Sequence, residues 1–214
     1  MIRVSSPQME QQYTGWHFSN GRESYGFERE ITTGTVLSVR APLDMCVHGL
    51  HASAQPLDAL IYGSGPIASL VRLDGQVIIG DDKACATKRT HLVVFDASAI
   101  LHEFAFQCAE DALSLQRGLE PDPRSVAAIE IKRRWLRGKA TDAELLAAGH
   151  AARSAAMWAA GPAWAAWAMA LAAQANAAWA AAGAAKAAEA DSATARDAQN
   201  TRLEAMLKQE AEYD

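Results

Sequence analysis

The sequence predicts an α+β fold: a small N-terminal mixed-sheet domain over residues 1–96, an alanine-rich antiparallel helical hairpin or bundle over 97–190, and a polar, frayed helical tail over 191–214. Three observations carry this reading. Up to Asp96, short runs rich in Val, Ile, Leu, Thr and aromatic residues alternate with turn-forming Gly, Asn, Asp and Pro. From Asp96 onward the apolar residues recur at spacings of three and four, the period of a helix. Finally, 47 of the 214 residues are alanine, 30 of them between Ala143 and Ala198, so the hydrophobic content of 50% overstates the side chain available to build a core.

The strand runs are residues 13–19, 35–40, 67–73, 77–79 and 91–95, separated by Asn20-Gly21, Ser64-Gly65-Pro66, Asp74-Gly75 and Gly80-Asp81-Asp82. Asp74-Gly75 reads as a two-residue hairpin turn pairing IASLVRL with QVII, because a type I′ turn needs positive φ at both central positions. Residues 56–62 read as one helix, with Pro56 near its first turn and Leu57, Leu60 and Ile61 facing inward. Beyond Asp96, Ile100, Leu101, Phe104, Cys108, Ala112 and Leu115 mark the next helix, which Pro121-Asp122-Pro123 interrupts.

A further helix spans about residues 124–136 and ends at Gly138. Thr141 and Glu144 form a capping-box pattern, opening a helix at Asp142 that should reach about Ala160, where Gly161-Pro162 closes it and starts another. On that last helix Trp164, Trp167, Leu171 and Trp179 share one broad face in a field of alanine. Such a surface lets another helix approach closely, with the tryptophan rings fixing the register. Trp158, Trp164, Trp167 and Trp179 are therefore the candidates for interhelical packing or self-association. In the tail only Leu203, Met206 and Leu207 are apolar anchors, which predicts fraying.

Charge and cysteine usage narrow the function classes. With 20 Lys and Arg against 25 Asp and Glu, the net charge of −5 gives no footprint for nucleic acid or an anionic membrane. No charged residue falls between Arg153 and Lys186, yet alanine contributes little to insertion, and Pro162, Gln174 and Asn176 interrupt the stretch; a membrane span is not expected. Three cysteines and an N-terminus without a basic-then-apolar pattern point to a reducing cytoplasm.

The densest set of reactive side chains is Cys46-Val47-His48-Gly49-Leu50-His51. On a strand Cys46 and His48 would share a face and His51 the opposite one, and no second Cys/His pair at ligand spacing follows, so Cys46 and His48 are weak metal candidates and no cofactor is expected. No P-loop, G-x-S-x-G or G-x-G-x-x-G motif occurs. Asp81 and Asp82 in a loop, with Arg133, Arg134 and Arg137 on a helix, are the candidate charge contacts for a protein partner.

Three family resemblances attach to these segments. The order His48 to Ser53, a short helix, then residues 67–73 resembles the glycine-rich strand, helix and strand of the mono- and poly-ADP-ribosyltransferases; this implies NAD as substrate and makes His17 and His51 weak catalytic candidates. The residues Cys46, Gly49, Leu50, His51, Ala52, Pro56, Leu57 and Asp58, with Asp82, Lys83 and Ala86, are similar to a domain of unknown function common in phage and prophage proteins. Ser53 stands where that pattern often has a second cysteine. Residues 101–160, with Glu103, Phe104, Cys108, Glu110, Arg124, Glu130, Arg134, Trp135 and Gly138, resemble the helical immunity proteins of polymorphic toxin systems, which implies binding and blocking of a protein. The resulting expectation is a non-catalytic phage or mobile-element inhibitor of a bacterial protein complex, of anti-CRISPR or immunity type. An NAD-using transferase and a self-associating assembly protein, a homodimer for example, are the alternatives.

Overall fold

A computed structural model describes residues 12–22, 30–114, 122–156 and 193–212, and they form an α+β fold. The strands are β1 (Tyr13–Ser19), β2 (Val36–Ser38), β3 (Leu50–Ala52), β4 (Ile67–Ile79) and β5 (Ala84–Asp96). The helices are α1 (Pro56–Ile61), α2 (Ser98–Ser114), α3 (Pro123–Leu136), α4 (Asp142–Ala156) and α5 (Ala193–Ala211). Every strand pair is antiparallel, where a mixed sheet was expected.

The order is β1-β4-β5-β2, with β3 pairing the N-terminal end of β5 beyond β2. Just after β3, Ser53 exchanges backbone hydrogen bonds with Trp16 of β1, at 2.7 and 3.0 Å. The two outer edges are thereby joined, and the sheet curls toward a small barrel. Gly15 permits the closure, since a Cβ there would stand 2.6 Å from the Ser53 carbonyl oxygen.

The Asp74-Gly75 turn expected from the sequence is not a turn. Residues 67–79 form one 13-residue strand, and the pairing register shifts between Asp74 and Val77, the mark of a β-bulge. Gly75 takes φ +78 there, and a Cβ on it would meet Thr87 Oγ1 at 2.4 Å. The same Asp-Gly chemistry suits both features, because each needs a residue at positive φ. Reversal comes instead after Ile79, where Gly80 N–H donates to the Lys83 carbonyl at 2.8 Å.

One face of the sheet carries the main core: Trp16 and Phe18 of β1, Ala68 of β4 and Phe95 of β5 pack with Leu57 and Leu60 of α1 and Leu101 and Phe104 of α2. The same cluster continues through Ala128 and Ile129 of α3 and Leu145 and Ala152 of α4, so the sheet and the helices share a single apolar core. The local signals act as expected. Asp122 accepts the Arg124 amide at the start of α3, Gly138 closes it at φ +67, and Thr141 and Glu144 exchange capping hydrogen bonds of 2.7 and 3.2 Å.

The tail differs from its expectation. Residues 193–211 are helical, with Leu203 and Leu207 fully buried in the main core. Asn200 Oδ1 accepts the Leu57 amide at 3.1 Å, and Arg196 and Arg202 pair with Asp58 and Asp111. Three apolar residues suffice because they share one side of the helix and meet a groove offered by α1 and α2. Trp158, Trp164, Trp167 and Trp179 lie outside the described residues.

Candidate functional sites

Two places gather functional side chains: the hollow of the curled sheet and the tip of the β4–β5 hairpin. Within the hollow, side chains of β1, β4 and β5 that point away from the helices meet. Part of it is apolar, built from Ala52, Val71, Leu73, Ala84 and Ala86. Its other part is basic. Arg89 is 6% exposed, and its Nη1 donates to the His51 carbonyl at 2.9 Å and lies 3.3 Å from His17 Nδ1. A guanidinium only donates, so His17 Nδ1 accepts and the ring carries its proton on Nε2. The His17 and His91 rings stand edge to face, with centroids 6.1 Å apart.

The titration behaviour follows from this crowding. Burial first, then the Arg89 and His91 charges, hold His17 well below the usual imidazole range. His91 is fully buried, and burial together with Arg89 lowers it to about 3. His51 is lowered by burial and by Lys83 and Arg89. These imidazoles are neutral at physiological pH.

The structure brings the two sequence candidates His17 and His51 to one place but gives them different tasks. The His51 ring is occupied locally: its Nε2 accepts the Cys46 amide at 3.3 Å, and only its backbone carbonyl reaches Arg89. Sequence reasoning missed Arg89, His91 and Ser69. The available signal was the alternation in β5, which puts Arg89 and His91 two residues apart on one face. Cys46 and His48 do not converge. His48 Nε2 donates to the Arg40 carbonyl at 2.7 Å, Cys46 is exposed at φ 71, and among the described residues no three His, Cys, Asp or Glu side chains gather as a metal site.

At the hairpin tip Ile78, Ile79, Asp81 and Asp82 stand beside the end of α1 and the turn closed by Asp44 and His48. Tyr62 Oη donates to Asp82 Oδ2 at 2.5 Å, and Lys83 Nζ lies 3.6 Å from the centre of the Tyr62 ring. That hydrogen bond raises the Tyr62 phenol, and burial of Lys83 is outweighed by its hydrogen bonds to Cys46 and Tyr62, which raise the amine. The contacts tie the turn, the helix end and the hairpin together. Around them Val47 is 71% exposed, Tyr62 53%, Ile61 52% and Ile79 50%.

Two of the candidate arginines have partners within the fold. Arg133 pairs with Glu110 and Glu130 and lies against the Phe106 ring, while Arg134 donates to the Lys139 carbonyl at 3.0 Å. Arg137 is exposed, and only its backbone N–H takes part in closing the end of α3. Cys108 and Ile129 are buried in the core, and Trp135 Nε1 donates to Asp142 at 2.7 Å, linking α3 to α4. Among the described residues no helix is long and apolar enough to cross a membrane. Comparison with protein-family models, with curated proteins and with solved structures finds no match to this chain.

Proposed function

We propose that this chain acts stoichiometrically, docking the β4–β5 hairpin tip onto a bacterial protein complex and blocking it. The observation that carries the reading is the exposure of Val47, Ile61, Tyr62 and Ile79 on three segments that the Tyr62–Asp82, Lys83–Tyr62 and Lys83–Cys46 contacts tie together beside Asp81 and Asp82. Apolar side chains rimmed by polar ones mark interaction surfaces, and tyrosine is a frequent anchor in them. The Tyr62–Asp82–Lys83 contacts hold the anchor in place before binding, which reduces the ordering cost of association. Asp81 and Asp82 favour a partner surface with an apolar socket flanked by Lys or Arg.

The test uses a photo-crosslinking amino acid at Val47, with the same group at Val126 of α3 as the control, since both positions are exposed. Val47 should capture one bacterial protein that Val126 does not, and that protein's activity should fall in proportion to added chain. Equal capture from both positions, or cross-links to a second copy alone, refutes docking at the tip; the second result favours self-association.

A further inference from the structure

The turn that Asp44 and His48 close lies along the start of β5. It leads into β3, where Leu50 stands opposite Ala86 and His51 opposite Cys85. Two close approaches fix the turn against the hairpin: a Cβ on Gly80 would meet Met45 Cε at 3.5 Å, and one on Gly49 would stand 2.0 Å from Cys85 Sγ. Along both segments Cys46 and Lys83 fall between these contacts, and the Lys83 amine hydrogen-bonds to the Cys46 side chain. Each is also held by a neighbour, Cys46 through its amide on His51 Nε2 at 3.3 Å and Lys83 over the Tyr62 ring at 3.6 Å. Reactive thiols are those that solvent reaches and that have a cation beside them. Cys46 is a free, exposed thiol with the Lys83 amine against it.

We propose that Cys46 is a peroxide-sensitive thiol with Lys83 as its covalent partner, so that oxidation staples the turn to the β4–β5 hairpin through a sulfur–nitrogen bond. In the first step the Cys46 sulfur attacks hydrogen peroxide: an S–O bond forms, the O–O bond breaks, sulfur is oxidised to the sulfenic acid and the peroxide is reduced to water. In the second the neutral Lys83 amine attacks that sulfur. An S–N bond forms, the S–O bond breaks, and the hydroxyl leaves with an amine proton as water. The pair loses two hydrogens in all, and a thiol reductant reverses the bond. The second step is the slower one, because the hydrogen bonds to Cys46 and Tyr62 hold the amine protonated. Cys85 is the competing nucleophile, but it is fully buried, its S–H donates to the His48 carbonyl at 3.6 Å, and burial, followed by the Asp44 and Cys46 charges, raises the thiol. An enclosed thiol kept protonated attacks poorly, whereas the amine is already in contact.

The full-length chain is treated with hydrogen peroxide, alkylated, digested with trypsin and mapped by mass spectrometry. Segment 41–72, which carries Cys46, should be joined to segment 73–88, with cleavage after Lys83 lost and a mass about 2 Da below the sum of the two. Dithiothreitol should separate them. Dimedone present during oxidation should be captured by the Cys46 sulfenic acid and prevent the link. Lys83→Arg, which keeps the charge and forms no such bond, should lose the link and carry Cys46 on to the sulfinic acid, about 32 Da heavier. Cys85→Ser should form the link as wild type does. If either variant misfolds, the wild-type map decides. A Cys46–Cys85 disulfide, which leaves cleavage after Lys83 intact, overturns the proposal. So does a wild-type Cys46 that dimedone fails to label, or one that reaches the sulfinic acid with Lys83 unlinked.

Discussion

Truncating Leu207 to alanine tests whether the C-terminal helix belongs to the folded core. Leu203 and Leu207 are both 0% exposed and lie one turn apart, on the side of α5 that meets α1 and α2. Met206 and Ala211 are only partly buried against the same core and most other positions are polar, so the two leucines carry most of the docking, assisted by the Asn200–Leu57 hydrogen bond and the pairs of Arg196 and Arg202. Removing a fully buried leucine side chain destabilises by about 2–5 kcal/mol, the transfer loss plus the cavity left behind. At about 3 kcal/mol, and about 2–4 °C per kcal/mol for a chain of this size, Leu207→Ala should lower the melting temperature by about 6–12 °C. Lys208→Ala, at an exposed neighbouring position, should change stability by less than about 0.5 kcal/mol. Urea unfolding followed by tryptophan fluorescence reads both, since Trp16 is 2% exposed in the same core. A Leu207→Ala variant as stable as wild type would show that the helix does not dock in solution.

Asn200→Ala strands the buried Leu57 amide and should destabilise by about 1–3 kcal/mol in the same unfolding assay, against a near-neutral exposed Thr201→Ala. Thr141→Ala removes one half of the capping box and should lose about 1 kcal/mol, read by calorimetry. His91, lowered to about 3, and His102, lowered to about 4, stay neutral in the folded chain while the unfolded chain protonates them near 6.5. The unfolded state therefore binds more protons below that value, so their contribution is complete above about pH 6.5 and is lost as the pH falls toward 3. Urea midpoints between pH 7.5 and 4.5 should fall less steeply for His91→Leu than for wild type, and parallel slopes would contradict the neutral buried imidazole.

What was legible in the sequence was local. β1, α1, α3 and the Thr141–Glu144 box follow from residues within one turn or one strand of each other, and they occur where those residues lie. Asp74-Gly75 was legible as a site of positive φ but not as a bulge, because the choice between turn and bulge is made by the partner strand. Here the partner is β5, which runs opposite β4 on both sides of the irregularity. The tail holds too few apolar residues to read as a buried helix: its leucines become a docking stripe only when α1 and α2 present a surface that matches them.

The basic hollow was only half visible. His17 and His51 could be singled out by residue type, but their meeting point depends on the Trp16–Ser53 closure and on Arg89, 72 residues from His17. No local pattern encodes that convergence. The hairpin tip had a clearer trace, since Asp81 and Asp82 sit in an obvious loop beside Ile79; its other apolar members, Val47, Ile61 and Tyr62, come from two other segments that the tertiary fold brings alongside.

Docking through the hairpin tip is tested most directly by the affinity of a double variant, Tyr62→Ala with Ile79→Asp, for the partner captured at Val47. Both positions are exposed, so the fold should survive, and circular dichroism checks that it does. Loss of a central anchor removes about 2 kcal/mol or more, so the dissociation constant should rise at least about 30-fold, with inhibition lost in parallel. A folded double variant that binds and inhibits as wild type does would contradict the account.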